Sequence, residues 1–244
     1  MKVVTHENYD QMSKNVAQRI AQVVTKKPNA VLCLPTGSTP IGLYREIIRL
    51  HKEENLDFSN VTAFNLDEYF GLPEEHPQSY SYYLWNRLYK HINIPKENIH
   101  YIRVLSNKLE DVDQYCQEHD ATINELGGFD LLVDGIGLNG HIGFNEPADE
   151  LIPHTHLEPL SQSTIDENSR FFDSKNDVPR YALTMGMGTI FKAKQIILIA
   201  SGSHKSEIVH KILHSNVTTQ IPATLLHLHQ NIEMHLDHEA AKLL

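Results

Sequence analysis

Four short segments of the chain combine residue types at spacings that could do chemistry. The first is Leu34-Pro35-Thr36-Gly37-Ser38-Thr39-Pro40. It joins an apolar run to a helical pattern. A strand-to-helix turn of this kind presents hydroxyls and backbone amides that suit an anion such as a phosphate. It lacks the Gly-Lys-Ser/Thr ending of a Walker loop, and a plain turn with a hydroxyl cap would use the same residues. The second is Asn65-Leu66-Asp67-Glu68-Tyr69, at the end of a second apolar run. Ligands of open α/β sheets bind beyond the carboxyl ends of strands, so Asp67 is a candidate general base. A helix cap or a solvated turn is the competing use. The third runs from Asp134 to Pro147, with Gly135, Gly137 and Gly140 in the spacing of a dinucleotide fingerprint. That fingerprint needs a helix opening at its last glycine. Here Gly143 and Pro147 follow without any helical stripe. The segment therefore reads as a tight strand-end loop holding His141 and Glu146 as an acid–base pair, with Asn139 to orient the ring. The fourth is Ser201-Gly202-Ser203-His204-Lys205-Ser206, where Lys205 and free amides could meet an anion or simply face solvent.

Such residues need elements that place them together. Tyr9, Met12, Val16, Ile20 and Val23 recur at steps of three and four, which predicts an amphipathic first helix. Strands are expected at 30–34, 61–66, 129–133, 181–184, 195–200 and 232–236. Helices are expected over about 40–52, at 80–88 and at 109–126, and from a cap at Ser203 to about His214. The alternation of strands and helices implies crossover units and a mostly parallel sheet. Between Pro147 and Pro179, four prolines lie among polar residues with little periodicity. This stretch, 148–180, is expected to be a lid or else a surface excursion. The rest forms one domain over 1–244.

Composition narrows the function. The net charge is −10 with no basic block, so a nucleic-acid partner is not expected. The longest strongly apolar stretch, Ile196 to Ala200, is far too short to span a bilayer, and Met1 to Asp10 carries no apolar signal, so a cytoplasmic protein without a membrane partner is expected. Cys33 and Cys116 form no spacing motif, and none of the close histidine pairs among the 16 histidines has a zinc-site pattern. No metal is expected.

Taken together, LPTGSTP, FNLDEYFGL with EHPQSYSYYL, GIGLNGHIGFNEPA, NSRFF and SGSHK resemble the glucosamine-6-phosphate deaminase family in order and spacing, over nearly the whole chain. The resemblance implies a doubly wound, Rossmann-like α/β fold with helices on both faces of the sheet. It also implies aldose–ketose isomerisation and deamination of glucosamine 6-phosphate to fructose 6-phosphate and ammonia, by a hydrolase of an amino-sugar phosphate that needs no cofactor. By position, Asp67 looks like the base that moves a proton between C2 and C1, His141 like the group that opens the sugar ring, and Glu146 like its partner. Thr36, Gly37, Ser38, Thr39 and Lys205 look like the phosphate cradle, and Arg170 like a contact to substrate hydroxyls. Many members have Asp where Asn139 stands here. Asn can hold a histidine but adds no charge, which implies a different pH profile.

Two other activities share the superfamily. A sugar-phosphate lactonase would need no C2 base. A sugar-phosphate sensor would carry a DNA-binding segment, for which no room is expected before the first helix. Longer, hexameric members bind N-acetylglucosamine 6-phosphate between subunits through a serine after the NEP motif and an Arg-x-Lys pair. Here Asp149 and His156-Leu157-Glu158 stand at those positions, and the chain ends at Leu244 without their extended tail. A monomer or small homo-oligomer, not activated by that effector, is the expectation.

Overall fold

The computed structural model describes residues 1–102 and 109–244. The chain begins with strand β1 (Lys2–His6), followed by α1 (Tyr9–Lys26), β2 (Val31–Leu34) and α2 (Ile41–Glu54). Then come β3 (Thr62–Asn65), β4 (Asp67–Tyr69), α3 (Tyr80–Arg87), β5 (Ile99–His100), α4 (Leu109–Glu125) and β6 (Leu131–Asp134). The last part holds β7 (His156–Pro159), α5 (Gln162–Asn168), β8 (Tyr181–Thr184), α6 (Met187–Ile190), β9 (Ile196–Ala200), α7 (Ser206–His214) and β10 (Ile232–Asp237).

Seven strands pair in the order β1-β10-β9-β6-β2-β3-β5, all parallel. Both faces of this sheet are covered, because alternate side chains of each strand enter different cores. Leu32 and Leu34 of β2 pack with Met12, Val16 and Ile20 of α1 and Leu43, Ile47 and Leu50 of α2. Val31 and Cys33 face the other way, towards Val112, Cys116 and Ile123 of α4 and Val209 and Ile212 of α7. The chain runs outward through β2, β3 and β5, then returns to place β6 on the other side of β2. The topological switch point therefore lies between β2 and β6, and the loops that leave their carboxyl ends, 35–40 and 135–147, face each other there.

A second sheet, β4-β8-β7, is antiparallel and stands apart from the first. It exists because β3 does not continue into a crossover. Its last residue, Asn65, turns the chain: the amide Nδ2 donates to Asp67 O at 2.7 Å, and Oδ1 accepts from Ile102 N at 2.8 Å. The redirected strand β4 then pairs Asp67 with Thr184. Tyr69, Phe144, Leu160, Ile165, Val178 and Ala182 form a small apolar cluster between this sheet and α5.

Several expectations need correction. Strand β1 has no counterpart in the sequence reading: it is a short edge strand with only His6 buried, so it shows no apolar run. The strand at 181–184 exists but belongs to the small sheet. Ser203 does not cap α7. It opens a single 3₁₀ turn after Gly202 (φ 89°), and α7 begins at Ser206 without a side-chain cap. The segment 148–180, despite its weak periodicity, holds β7 and α5, the latter capped by Ser161, whose Oγ accepts from Thr164 N at 3.2 Å.

Candidate active site

A cavity of about 620 Å³ opens at the switch point. One wall is the loop after β2. Gly37 adopts φ 93°, a region open to glycine, and its carbonyl accepts from Tyr83 Oη at 2.5 Å. Tyr9 Oη donates to Thr39 O at 2.9 Å and accepts from Gly42 N at 2.7 Å. The first turn of α2 thus has one amide already engaged. What remains for a ligand are the hydroxyls of Thr36, Ser38 and Thr39 and the amides of residues 37–39, which make no hydrogen bond among the described residues. Lys205, Arg170 and Glu167 line the same cavity. Lys205 is buried, and Nζ donates to Ile136 O at 2.8 Å and to Glu167 Oε1 at 3.4 Å. Burial pulls its pKa down, against the pull of Glu167. Arg170 is half exposed and lies over the Phe171 ring.

The opposite wall carries Asp67. It is buried, and its pKa is raised well above the usual carboxylate range, first by burial and then by the charges of Asp134 and Glu68. Its neighbour Glu68 points elsewhere: its carboxylate accepts from the amides of Tyr69, Tyr80 and Ser81 and so caps α3. Glu68 is thus the cap of this segment, and Asp67 is the carboxyl that lines the cavity. Asp134, not singled out from sequence, ends β6 and lines the cavity. Oδ1 accepts from Gly135 N at 2.7 Å and Oδ2 from Gly143 N at 3.0 Å, so one side chain ties together both arms of the glycine loop. Burial raises its pKa to about 6, although those two amides and His141 favour the charged form.

The glycine loop shapes the histidine. A Cβ on Gly137 would stand 2.3 Å from His141 Cε1 and 2.4 Å from both ring nitrogens. The glycine that imitates a nucleotide fingerprint is in fact the space in which the imidazole lies. A Cβ on Gly143 would stand 2.8 Å from Thr184 Oγ1 and 3.6 Å from Asp67 Oδ2. His141 Nδ1 lies 3.6 Å from Glu146 Oε2 and 3.4 Å from Thr164 Oγ1 of α5. Burial raises the Glu146 pKa, but the polar contacts with His141, Thr164 and Asn139 and the charge of His141 outweigh it, leaving the value at about 2. Asn139 does not orient the ring. Its Nδ2 donates to Glu146 Oε2 at 2.8 Å and its Oδ1 accepts from the backbone amide of His141 at 3.1 Å. It lies outside the cavity lining, and its geometry makes it a support for Glu146.

Asp67, His141, Thr36 to Thr39, Arg170 and Lys205 thus meet in one cavity, with Glu146 and Asn139 behind the imidazole. Besides Asp134, sequence reading missed Glu167, whose one signal was its position three residues before Arg170. Among the described residues, no cluster of three or more His, Cys, Asp or Glu side chains could hold a metal ion. None of the helices there is long and apolar enough to cross a membrane.

Residues 5–235 match the family model described as glucosamine-6-phosphate isomerases/6-phosphogluconolactonase. Glucosamine-6-phosphate deaminase of Clostridium perfringens (strain ATCC 13124) is 48% identical over 244 residues, covering 100% of both chains. The chain belongs to the glucosamine-6-phosphate deaminase family. The deaminase of Thermoanaerobacter sp. (strain X514) is 46% identical over the whole of this chain and 95% of its own length. Among solved structures, a monomeric glucosamine-6-phosphate deaminase superposes with a TM-score of 0.96 at 41% identity, covering 100% of both chains. The 6-phosphogluconolactonase from Trypanosoma cruzi gives 0.76 at 20% identity, covering 100% of this chain and 96% of its own, a likeness of fold alone. The deaminase family and the lactonases thus share the doubly wound sheet, while the close sequence relatives lie on the deaminase side.

Proposed function

We propose that this protein converts glucosamine 6-phosphate and water to fructose 6-phosphate and ammonia. The observation that carries the reading is a single cavity in which a buried carboxyl and a carboxylate-backed histidine face a wall of free hydroxyls, amides and two cations. The phosphate sits against Thr36, Gly37, Ser38 and Thr39 with Lys205, and Arg170 reaches the sugar from 148–180, which acts as a lid. His141 takes the proton from the anomeric hydroxyl and returns one to the ring oxygen, opening the ring. Ionised Glu146 supports the imidazolium that forms in between, and Asn139 holds Glu146 in place. Asp67 removes the C2 proton, made acidic by the C1 carbonyl, and delivers it to C1. With a proton passing from the amino group to O1, that leaves an imine at C2. Water adds there and ammonia departs, so the reaction is an isomerisation completed by hydrolysis, and the hydrolase label rests on this last step alone. Binding energy from the remote phosphate serves orientation at C1 and C2. The sugar phosphate is the partner of this site, in a cytoplasmic monomer or small homo-oligomer.

The test is coupled detection of ammonia and fructose 6-phosphate from glucosamine 6-phosphate, beside a 6-phosphogluconolactone hydrolysis assay. Both products in equal amounts, with no lactone hydrolysis, are expected. Lactone hydrolysis without ammonia would refute the reading.

A further inference from the structure

The cations assigned to the sugar phosphate already have a partner. Glu167 Oε1 lies 3.4 Å from Lys205 Nζ and 3.8 Å from Arg170 Nη2, with the Glu167 side chain only 17% exposed. Lys205 is held still more deeply, at 10% side-chain exposure. A buried ammonium without a counter-charge is strongly unfavourable. The Ile136 carbonyl satisfies one of its protons but supplies no charge. Among the described residues, Glu167 is the sole carboxylate in ion-pair range of Lys205. It stands on α5, inside the segment that carries Arg170 and, through Thr164, touches His141. One carboxylate therefore joins both cations to the end of α5.

We propose that Glu167 is an internal stand-in for the substrate's phosphate, which a phosphomonoester must displace from Lys205 in order to bind, with Arg170 left to the sugar. The inference rests on the placement of the phosphate proposed above. A phosphomonoester carries between one and two negative charges near neutrality. It cannot share Lys205 with a carboxylate without like-charge repulsion, so the two anions exchange. The exchange weakens phosphate binding by the strength of the pair it breaks. It releases α5 from Lys205 when ligand enters and restores the link when ligand leaves, so occupancy is coupled to the position of the lid. An uncharged sugar has no means to drive this exchange.

The test is calorimetric titration of inorganic phosphate into the wild-type protein and into Glu167→Gln, Glu167→Ala and Lys205→Ala variants, each checked for native circular dichroism. Removing the competing carboxylate is expected to lower the phosphate Kd roughly three- to tenfold in Glu167→Gln, with the same direction in Glu167→Ala. A residue that merely supported the fold would weaken binding when replaced, so tighter binding separates the two roles. Unchanged or weaker phosphate binding in both folded Glu167 variants overturns the proposal. Wild-type phosphate binding that Lys205→Ala does not weaken removes the phosphate site and the proposal with it. Tighter phosphate binding in the Glu167 variants, without ammonia release from glucosamine 6-phosphate by the wild type, would refute the reaction and leave Glu167 in this role.

Discussion

Replacing Gly137 by alanine should disable the proposed enzyme through one methyl group. The backbone at Gly137 is not in the left-handed region, so alanine brings no torsional strain there. The whole effect is steric. The new Cβ would stand 2.3 Å from His141 Cε1, whereas ordinary contact begins near 3.4 Å. The ring must therefore retreat by about 1 Å, away from the cavity or into Glu146. A displacement of that size at a reacting group lowers turnover by roughly 10²-fold, equivalent to about 2.7 kcal/mol of barrier. Phosphate binding should change far less than turnover, because the three heavy atoms nearest the added Cβ all belong to the His141 ring. The assay is ammonia release at saturating glucosamine 6-phosphate, beside calorimetry with inorganic phosphate. Gly135→Ala is the comparison: its added Cβ meets nothing within 4 Å, so its loss should be far smaller. Near wild-type turnover in a folded Gly137→Ala variant would refute the role of this glycine as the seat of the imidazole. So would an equal loss in both variants.

Asp67→Asn should retain the fold and phosphate binding but lose roughly 10²–10⁴ in turnover; a folded variant with near wild-type ammonia release would remove Asp67 as the base. Burial, Asp134 and Glu68 raise the Asp67 pKa, and the base must be ionised. kcat/KM should therefore fall, as pH is lowered, well above the usual carboxylate range. Asp134→Asn should move that limb to lower pH by removing a like charge, and a limb that stays in place or moves up would contradict the coupling. Lys205→Ala should mainly raise KM, since a charge-assisted contact is worth about 1.5–3 kcal/mol, and an unchanged KM would place Lys205 elsewhere. N-acetylglucosamine 6-phosphate should not shift the substrate-saturation curve: His156 Nε2 already lies 3.1 Å from Glu158 Oε2, and Asp149 accepts from Gln220, so Glu158 stands where the resemblance sets a cation and Asp149 where it sets a serine. A sigmoidal curve made hyperbolic by the effector would contradict this.

The long helices and the central strands were legible because each buried element carries its own periodicity. Met12, Val16 and Ile20 mark one face of α1, and Ile196 to Ala200 is apolar throughout because the sheet is covered on both sides. The chemistry-bearing segments were legible for a related reason. A loop that must bring backbone close to a ligand or to a side chain needs glycine at fixed places, and Gly37 and Gly137 are such places. What the sequence could not determine were contacts between residues far apart along the chain. Tyr9 meets the loop at 39–42, Asp134 bonds the amide of Gly143, and Glu167 closes on Lys205, 38 residues away. β1 was invisible because an edge strand with one buried residue has no pattern to show. Which carboxylate of Asp67 and Glu68 faces the cavity, and which caps α3, was decided by Asn65 turning the chain out of the main sheet and into pairing with β8. Local sequence specifies period, turn and cap, since those depend on neighbours within a few residues. Charge, burial and reach depend on what the fold brings alongside, and these decide which of the candidate groups can act together.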